Sequence, residues 1–286
     1  MIVVTGASGQ LGRGIVEALL RRGTVGRIVA SVRDPARASD LAARGVEVRR
    51  GDFADPGSLR AAFSGADRIL LVSADKLGEE ALRLHRIAIA AAREAGATRV
   101  LYTSHAGARI GSAFPPADQH AGTEADLSGS GLACTALRNG FYAESCLHLL
   151  GNALRTGELR VPEDGPVAWT ARDDLAEANA AILAGEGGDD AITPPLTAAR
   201  AVTMAGIATM ASEVTGRTVR HELIPDAAWR DARIAAGVPP PYAEALLGVF
   251  RAARRGDFAA TDPLLETLLG RPPRTMRDVL AAAAAP

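Results

Sequence analysis

Three glycines stand three residues apart in the opening stretch MIVVTGASGQLGRGIVEALLRR, at Gly6, Gly9 and Gly12. An apolar strand, a glycine turn and a helix in that order make a seat for a phosphate-bearing ligand. One glycine allows the tight turn, another lets the backbone approach a pyrophosphate, and the helix N-terminus offers free N–H groups and its dipole to the anion. The spacing is G-x-x-G-x-x-G rather than the G-x-G-x-x-G of the dinucleotide fingerprint, but the physics is shared. Ser8 adds a hydroxyl donor, and Gln10 and Leu11 complete the expected cofactor-binding loop.

The second phosphate is read at the end of the second strand, about 20 residues further on, where an acid binds a ribose 2'-hydroxyl and an arginine a 2'-phosphate. The strand ends Ser31-Val32-Arg33 with no carboxylate at its tip. The planar fork of Arg33 suits a phosphate, so NADPH is favoured over NADH. Two competing readings are a surface pair of Arg33 with Asp34 and a turn of Asp34 to the ribose. After the third strand, Gly51-Asp52-Phe53 places Asp52 as acceptor for an adenine amine and Phe53 against its ring; alternatively Asp52 caps the next helix, a role Asp55 fills equally well. Ser73 follows the fourth strand and Thr103, Ser104 and His105 end the fifth, where open α/β sheets bind ligands.

The elements that must position these residues are legible as changes of apolar period. Short runs (IVVT, RIVASV, VEVRRGD, RILLVS, TRVLYTS, LACTALRNG) alternate with helical segments such as EEALRLHRIAIAAAREAG and ADQHAGTEADLSGSG. Strands and helices alternating at this length predict a parallel sheet with helices on both faces, a doubly wound α/β domain of the Rossmann type over residues 1–150. Beyond it, proline and glycine become frequent and helices predominate. Residues 151–286 are expected to form a smaller, mainly helical substrate-side region, with the strand VRHELIP a candidate to join the sheet and residues 169–185 assignable to either part, which would carry the first to about residue 190.

Composition narrows the partner. The 286 residues are 48% hydrophobic and 23% charged with a formal net charge of −1, and mean hydropathy is +0.08, as in a soluble globular protein. Charges of both signs are interspersed, with no basic stripe for a nucleic-acid backbone and no recognition helix. No apolar run reaches the roughly 20 residues that cross a bilayer, and no leader precedes the first strand, so the expected location is cytoplasmic. Cys134 and Cys146 suit buried free thiols rather than a disulfide scaffold, and the five histidines show no metal signature. The expected partner is a small molecule, and the expected state a monomer or homodimer.

A glycine loop of this kind most often accompanies a tyrosine with a lysine four residues later, the proton-moving pair of short-chain dehydrogenases. That pair is absent. Tyr102, Tyr142 and Tyr242 are followed four residues later by Ala106, Cys146 and Leu246, and the only lysine is Lys76. Without it, a simple ketone substrate loses general acid catalysis typically worth about 10²- to 10⁴-fold. Where the pair would fall, the chain reads Asp118-Gln119-His120-Ala121-Gly122-Thr123-Glu124, with His120 and Glu124 at i, i+4 on one helical face.

With TGASGQLG at 5–12, Arg33, GDF at 51–53, the H-x-x-T-E of His120 and Glu124, and LRNGFY at 137–142, the sequence resembles the NmrA-like branch of atypical short-chain reductases, close to the type 2 NAD(P)H:quinone oxidoreductases and triphenylmethane reductases. The resemblance continues through RDDLAEANAAIL, ASEVTGR and LLGRPPRTMRDVL, nearly the whole chain; SHAGARIGSAFPPADQH has its own length and is expected to shape the substrate opening.

The resemblance implies hydride transfer from a nicotinamide to a quinone or similar conjugated, electron-poor acceptor. Such an acceptor becomes an aromatic hydroquinonate and needs no strong acid, only hydrogen bonds to the developing oxyanion. Candidate donors are His105, Asn139 and Tyr142, with His120 acting beside Glu124 as its orienting partner. The plainer readings are that Asn139 ties down a turn and that His120 and Glu124 form an ordinary helical pair. Tyr242 and Trp229 either line the slot or fill a core. The branch also includes non-catalytic NAD(P) sensors that regulate a partner, the alternative to a reductase.

Overall fold

The computed structural model describes residues 1–23, 26–187 and 190–284. Six strands, β1 (Ile2–Thr5), β2 (Ile28–Val32), β3 (Glu47–Arg50), β4 (Arg68–Leu71), β5 (Arg99–His105) and β6 (Cys134–Asn139), form one parallel sheet in the order β3-β2-β1-β4-β5-β6. All four residues of β1 are buried, because a strand covered on both faces reads as an unbroken apolar run.

Alternation along the strands sorts side chains into two cores. Val4, Ala30, Leu70, Leu101 and Leu137 face Ile15 and Leu19 of α1 (Gln10–Arg22) and Leu175 and Leu183 of α8 (Arg172–Ala184). Val3, Val29, Ile69, Val100 and Tyr102 face Phe63 of α3 (Pro56–Phe63), Ala88 and Ala92 of α4 (Glu79–Glu94) and Leu127 of α5 (Pro115–Ser128). The sheet is doubly wound. The chain runs outward from β1 to β3 and then returns to β4 on the other side of β1, which opens a crevice at the carboxyl ends of β1 and β4. The segment after β2 divides into a 3-10 turn, Pro35–Ala38, and a short α2 (Ser39–Ala43).

A third core gathers Cys146, Leu149, Leu159, Val161, Ile207, Trp229, Leu247, Phe250 and Leu280. It is built by α6 (Ala143–Leu150), α7 (Ala153–Thr156), β7 (Glu158–Val161), α9 (Met204–Thr215), β8 (Arg220–Leu223), α10 (Asp226–Ala235), α11 (Pro240–Arg254) and α13 (Met276–Ala284), while Leu264 and Leu268 of α12 (Leu264–Leu269) pack against the first core. Here the VRHELIP strand departs from expectation. As β8 it pairs in parallel with β7 in a separate two-stranded sheet, because the free edge of β6 is taken by residues 191–196. There the N–H of Ala136 donates to the Ala191 carbonyl at 2.8 Å and that of Leu196 to the Arg138 carbonyl at 2.9 Å.

Trp229 is buried in the third core, its ring 5.0 Å from that of Phe250 and capped by the Arg233 guanidinium. It is therefore a core aromatic and not a slot residue. Tyr242 is 48% exposed and stacks on no other aromatic ring among the described residues. Both cysteines are free. Among the described residues no helix is long and apolar enough to cross a membrane.

Candidate functional site

The glycine loop closes as its spacing demands. Gly6 adopts the left-handed φ of 59°, and the N–H of Gly9 donates to its carbonyl at 2.9 Å. A Cβ on Gly12 would lie 2.5 Å from the Gly6 oxygen, so only glycine lets α1 approach the loop this closely. α1 begins after Gly9 with no side-chain cap and no acidic residue in its first turn, leaving its orphan N–H groups and positive end uncompensated. Ser8 lies half-buried in the turn, Leu11 anchors the helix in the core, and the Gln10 side chain accepts from the Arg172 guanidinium.

At the tip of β2, Arg33 is exposed and makes no ion pair or hydrogen bond among the described residues. The surface pair with Asp34 does not form, because the Asp34 carboxylate caps the 3-10 turn by accepting from the N–H of Ala36 at 3.1 Å. Gly51 lies hard against β2, where a Cβ would fall 2.1 Å from Ser31 Oγ. Asp55, not Asp52, caps α3 through the N–H of Ser58 at 3.1 Å. Asp52 accepts from the N–H of Ala54 at 2.9 Å through one oxygen, and Phe53 packs edge-on to His85.

The chain leaving β4 is held from both neighbouring strands. Thr5 Oγ1 accepts from the N–H of Val72 at 2.8 Å, and Thr103 Oγ1 from the N–H of Ser73 at 2.9 Å. Behind it, His85 Nε2 accepts from the N–H of Ala74 at 2.9 Å, so its proton is on Nδ1, which donates to Thr123 Oγ1 at 2.8 Å; that hydroxyl donates to the Gln119 carbonyl at 3.0 Å. Burial lowers the His85 pKa to about 4 and keeps it neutral. Thr5 and His85 are residues that sequence reasoning missed. The one signal for His85 was its partner Thr123 inside the H-x-x-T-E motif.

At the end of β5 two imidazoles stack with centroids 6.0 Å apart. His105 Nδ1 accepts from the N–H of Gly107 at 2.9 Å, which places its proton on Nε2, an enclosed atom with no protein partner. The rings of Phe114, Phe141 and Phe258 surround it at 5.2 to 6.0 Å, and burial, aided by Arg138, lowers its pKa to about 4. His120 is lowered well below its ordinary value by burial and by the neighbouring His105 and His85. Its Nδ1 lies 2.7 Å from the hydroxyl of Tyr102. The result is a flat aromatic wall with two neutral imidazoles in it. Among the described residues no group of three or more His, Cys, Asp or Glu side chains is placed to hold a metal ion.

The NmrA-like family model matches residues 1–275. The chain belongs to the NmrA-like family. It is 34% identical to quinone oxidoreductase 2 of Escherichia coli (strain K12) over 279 residues, covering 97% of this chain and 96% of that protein. Among solved structures, the NADPH complex of the E. coli NADPH-dependent quinone oxidoreductase superposes with a TM-score of 0.92 at 33% identity, covering both chains fully. The NADP(H) complex of the Citrobacter sp. triphenylmethane reductase superposes with a TM-score of 0.89 at 31% identity, again over both whole chains.

Within this NmrA-like chain, three of the expected site residues are committed elsewhere. Glu124 does not orient His120. Its carboxylate takes Arg138 in a two-pronged pair, Nε to Oε1 at 3.0 Å and Nη2 to Oε2 at 2.7 Å, and accepts from the Ser104 hydroxyl at 2.6 Å. β6 presents Arg138 and β5 presents Ser104 to the same face of α5, and a partly buried carboxylate prefers a guanidinium fork to a neutral imidazole. The Ser104 side chain is thereby drawn away from a cofactor role. Asn139 is not a free donor either. Its amide exchanges hydrogen bonds with Asn179 of α8 at 2.8 and 3.2 Å, both residues being buried, and this pair ties β6 to α8.

Tyr142 remains available. It precedes α6, its ring lies under the Arg172 guanidinium at 5.0 Å, and burial pushes its pKa up to about 12. Arg172 thus links this ring to Gln10 at the glycine loop.

Proposed function

We propose that the chain is an NADPH-dependent reductase of quinones or similarly conjugated, electron-poor aromatic acceptors. The observation that carries this reading is the neutral histidine pair set in a phenylalanine wall at the end of β5, one crevice away from an uncapped helix terminus and an arginine with no partner among the described residues. The relatives' activities agree with it.

The residues fit the cofactor. Gly6, Ser8, Gly9, Gln10, Leu11 and Gly12 would hold its pyrophosphate by backbone N–H groups, Arg33 its 2'-phosphate, Asp52 and Phe53 its adenine, and Ser73 and Thr103 the stretch toward the nicotinamide. When bound, NADPH would supply a hydride, which carries both electrons and one of the two hydrogens that the hydroquinone gains.

The protein's own work is positional and electrostatic. Phe114, Phe141 and Phe258 exclude water from one face of a flat acceptor. His120 Nε2 and the Tyr142 hydroxyl donate hydrogen bonds to the oxygen on which charge develops, and the second proton of the hydroquinone arrives from water. Neutral donors suffice because the hydroquinonate is an aromatic, weakly basic anion, so neither a tyrosine–lysine pair nor an imidazolium is required.

The test is NADPH oxidation by the purified protein with benzoquinone and naphthoquinone, run beside NADH and corrected for the uncatalysed reaction. Saturable turnover with NADPH is expected. Cofactor binding without turnover would replace the reductase by a sensor.

A further inference from the structure

Tyr102 belongs to no sequence-level site and to no helix that borders the crevice. It sits in the middle of β5, fully buried in the sheet's second core, with the His85 ring 5.3 Å away and edge-on. A phenol in such surroundings must find a partner, and the nearest is His120 Nδ1 at 2.7 Å, with Ser73 Oγ at 3.4 Å and the Thr123 hydroxyl as weaker neighbours. The short contact decides where the protons sit. A phenol O–H is a better donor than an imidazole N–H, and a bare imidazole nitrogen a better acceptor than a phenol oxygen. Were Nδ1 to carry the proton, the Tyr102 hydrogen would be left with the 3.4 Å contact to Ser73, longer than an ordinary O–H···O bond, and with the Thr123 hydroxyl, which already accepts from His85 and donates to Gln119. Tyr102 therefore donates to Nδ1, and His120 carries its proton on Nε2, which has no protein partner among the described residues and is not enclosed.

We propose that Tyr102 is a positioning residue: its buried hydroxyl fixes His120 in the Nε2–H tautomer and holds the ring so that this N–H faces the acceptor's oxygen. The inference rests on the reductase reading for its kinetic part only. Burial raises the Tyr102 pKa far above neutrality, so the donor persists at every working pH. Among the described residues no other group competes for Nδ1. Glu124, one turn along α5, is held by Arg138 and Ser104; His105 stacks on the ring face; His85 is engaged by Ala74 and Thr123; and Tyr142 influences the Tyr102 hydroxyl only at longer range. The arrangement solves the problem left by the missing tyrosine–lysine pair. A tyrosine is still used, but behind the histidine.

Tyr102→Phe removes one oxygen and leaves the core volume almost unchanged. Two tautomers then compete and the ring loses its anchor, so kcat is expected to fall about ten- to a hundredfold, with quinone KM and NADPH affinity within about twofold. A donor to the neutral imidazole disfavours the charged form. Its loss raises the His120 pKa, and the acid limb of the kcat/KM profile moves to higher pH. The tautomer itself is read without turnover by imidazole ¹⁵N shifts in the free protein, with His120→Gln assigning the signals: Nε2–H is expected in the wild type and a mixture in Tyr102→Phe. An Nδ1–H signal in the wild type, or an unchanged tautomer and pH profile in Tyr102→Phe, overturns the proposal, the first of these even if the variant fails to fold. Wild-type protein that shows Nε2–H but reduces no quinone overturns the reductase reading and the kinetic part, and leaves the tautomer assignment standing.

Discussion

The two ends of the crevice are built on opposite electrostatic plans. At the glycine loop and the tip of β2, donors stand free: α1 has no side-chain cap, and the exposed Arg33 has no partner among the described residues. At the end of β5, polar groups are buried, neutral and largely satisfied by one another. A site that must take a multiply charged, solvated ligand keeps its cation and helix dipole in water and unpaired. A site that must receive a flat apolar acceptor excludes water and keeps its imidazoles uncharged. On the proposed reading, the difference teaches that the chain separates holding from reacting, and each half can be broken without the other.

Acid should break the histidine end first and hardest. His85 and His105 have folded-state pKa values near 4, below the ordinary 6.5. The unfolded chain therefore binds more protons between those values, and stability is complete above pH 6.5 and declines as pH falls toward 4. A shift of this size corresponds to about 3 kcal/mol for a fully buried histidine. Urea unfolding midpoints should drop steadily across that window, and more shallowly in His85→Asn. A flat profile would mean that the imidazoles are not buried neutral.

The opposite end yields to backbone rather than to pH. Gly12→Ala places a methyl 2.5 Å from a carbonyl oxygen that cannot step aside, so NADPH affinity should fall about a hundredfold, close to 3 kcal/mol, as measured by fluorescence titration. Arg33→Ala should weaken NADPH binding by about thirtyfold, or 2 kcal/mol, and NADH binding by no more than about twofold. Equal losses for both cofactors would remove the 2'-phosphate from the tip of β2.

How much of this was legible in sequence follows the same division. The loop, the strand ends and Arg33 are local features, fixed by periodicity and by glycine's conformational freedom, and the order of strands and helices carried the doubly wound sheet with them. The histidine end depends on partners from other elements. Helical spacing rightly put His120 and Glu124 on one side of α5, but β5 and β6 drew them to different neighbours, Tyr102 for one and Arg138 with Ser104 for the other. The Asn139–Asn179 pair spans 40 residues and the β7–β8 ladder 62 in its Arg160–Glu222 contact, and no local pattern encodes such pairings.

Asn139→Ala sharpens the line between anchoring and chemistry. It leaves the buried Asn179 amide unpaired and should cost about 1 to 2 kcal/mol of stability, read as a lower urea midpoint, with kcat/KM for quinone changed by less than about threefold. A large kinetic loss at unchanged stability would return Asn139 to the donor set.

The smallest effect is expected at Tyr142, where the two ends meet. Its ring is gripped by Arg172, which also reaches Gln10, so the phenyl body matters to the shape of the crevice and survives in Tyr142→Phe. What the variant loses is one hydroxyl whose pKa, near 12, keeps it protonated across the working range. A neutral donor to a hydroquinonate oxygen shared with His120 should be worth about 1 kcal/mol or less, a fall in kcat of about threefold to fivefold with no shift of the acid limb. Steady-state kinetics beside Tyr102→Phe separate the two tyrosines: a moved acid limb belongs to the one behind His120, and a uniform small decrease to the one facing the acceptor. If Tyr142→Phe moves the limb instead, the tyrosine that governs His120 is the one in the crevice, and the buried one only fills the core.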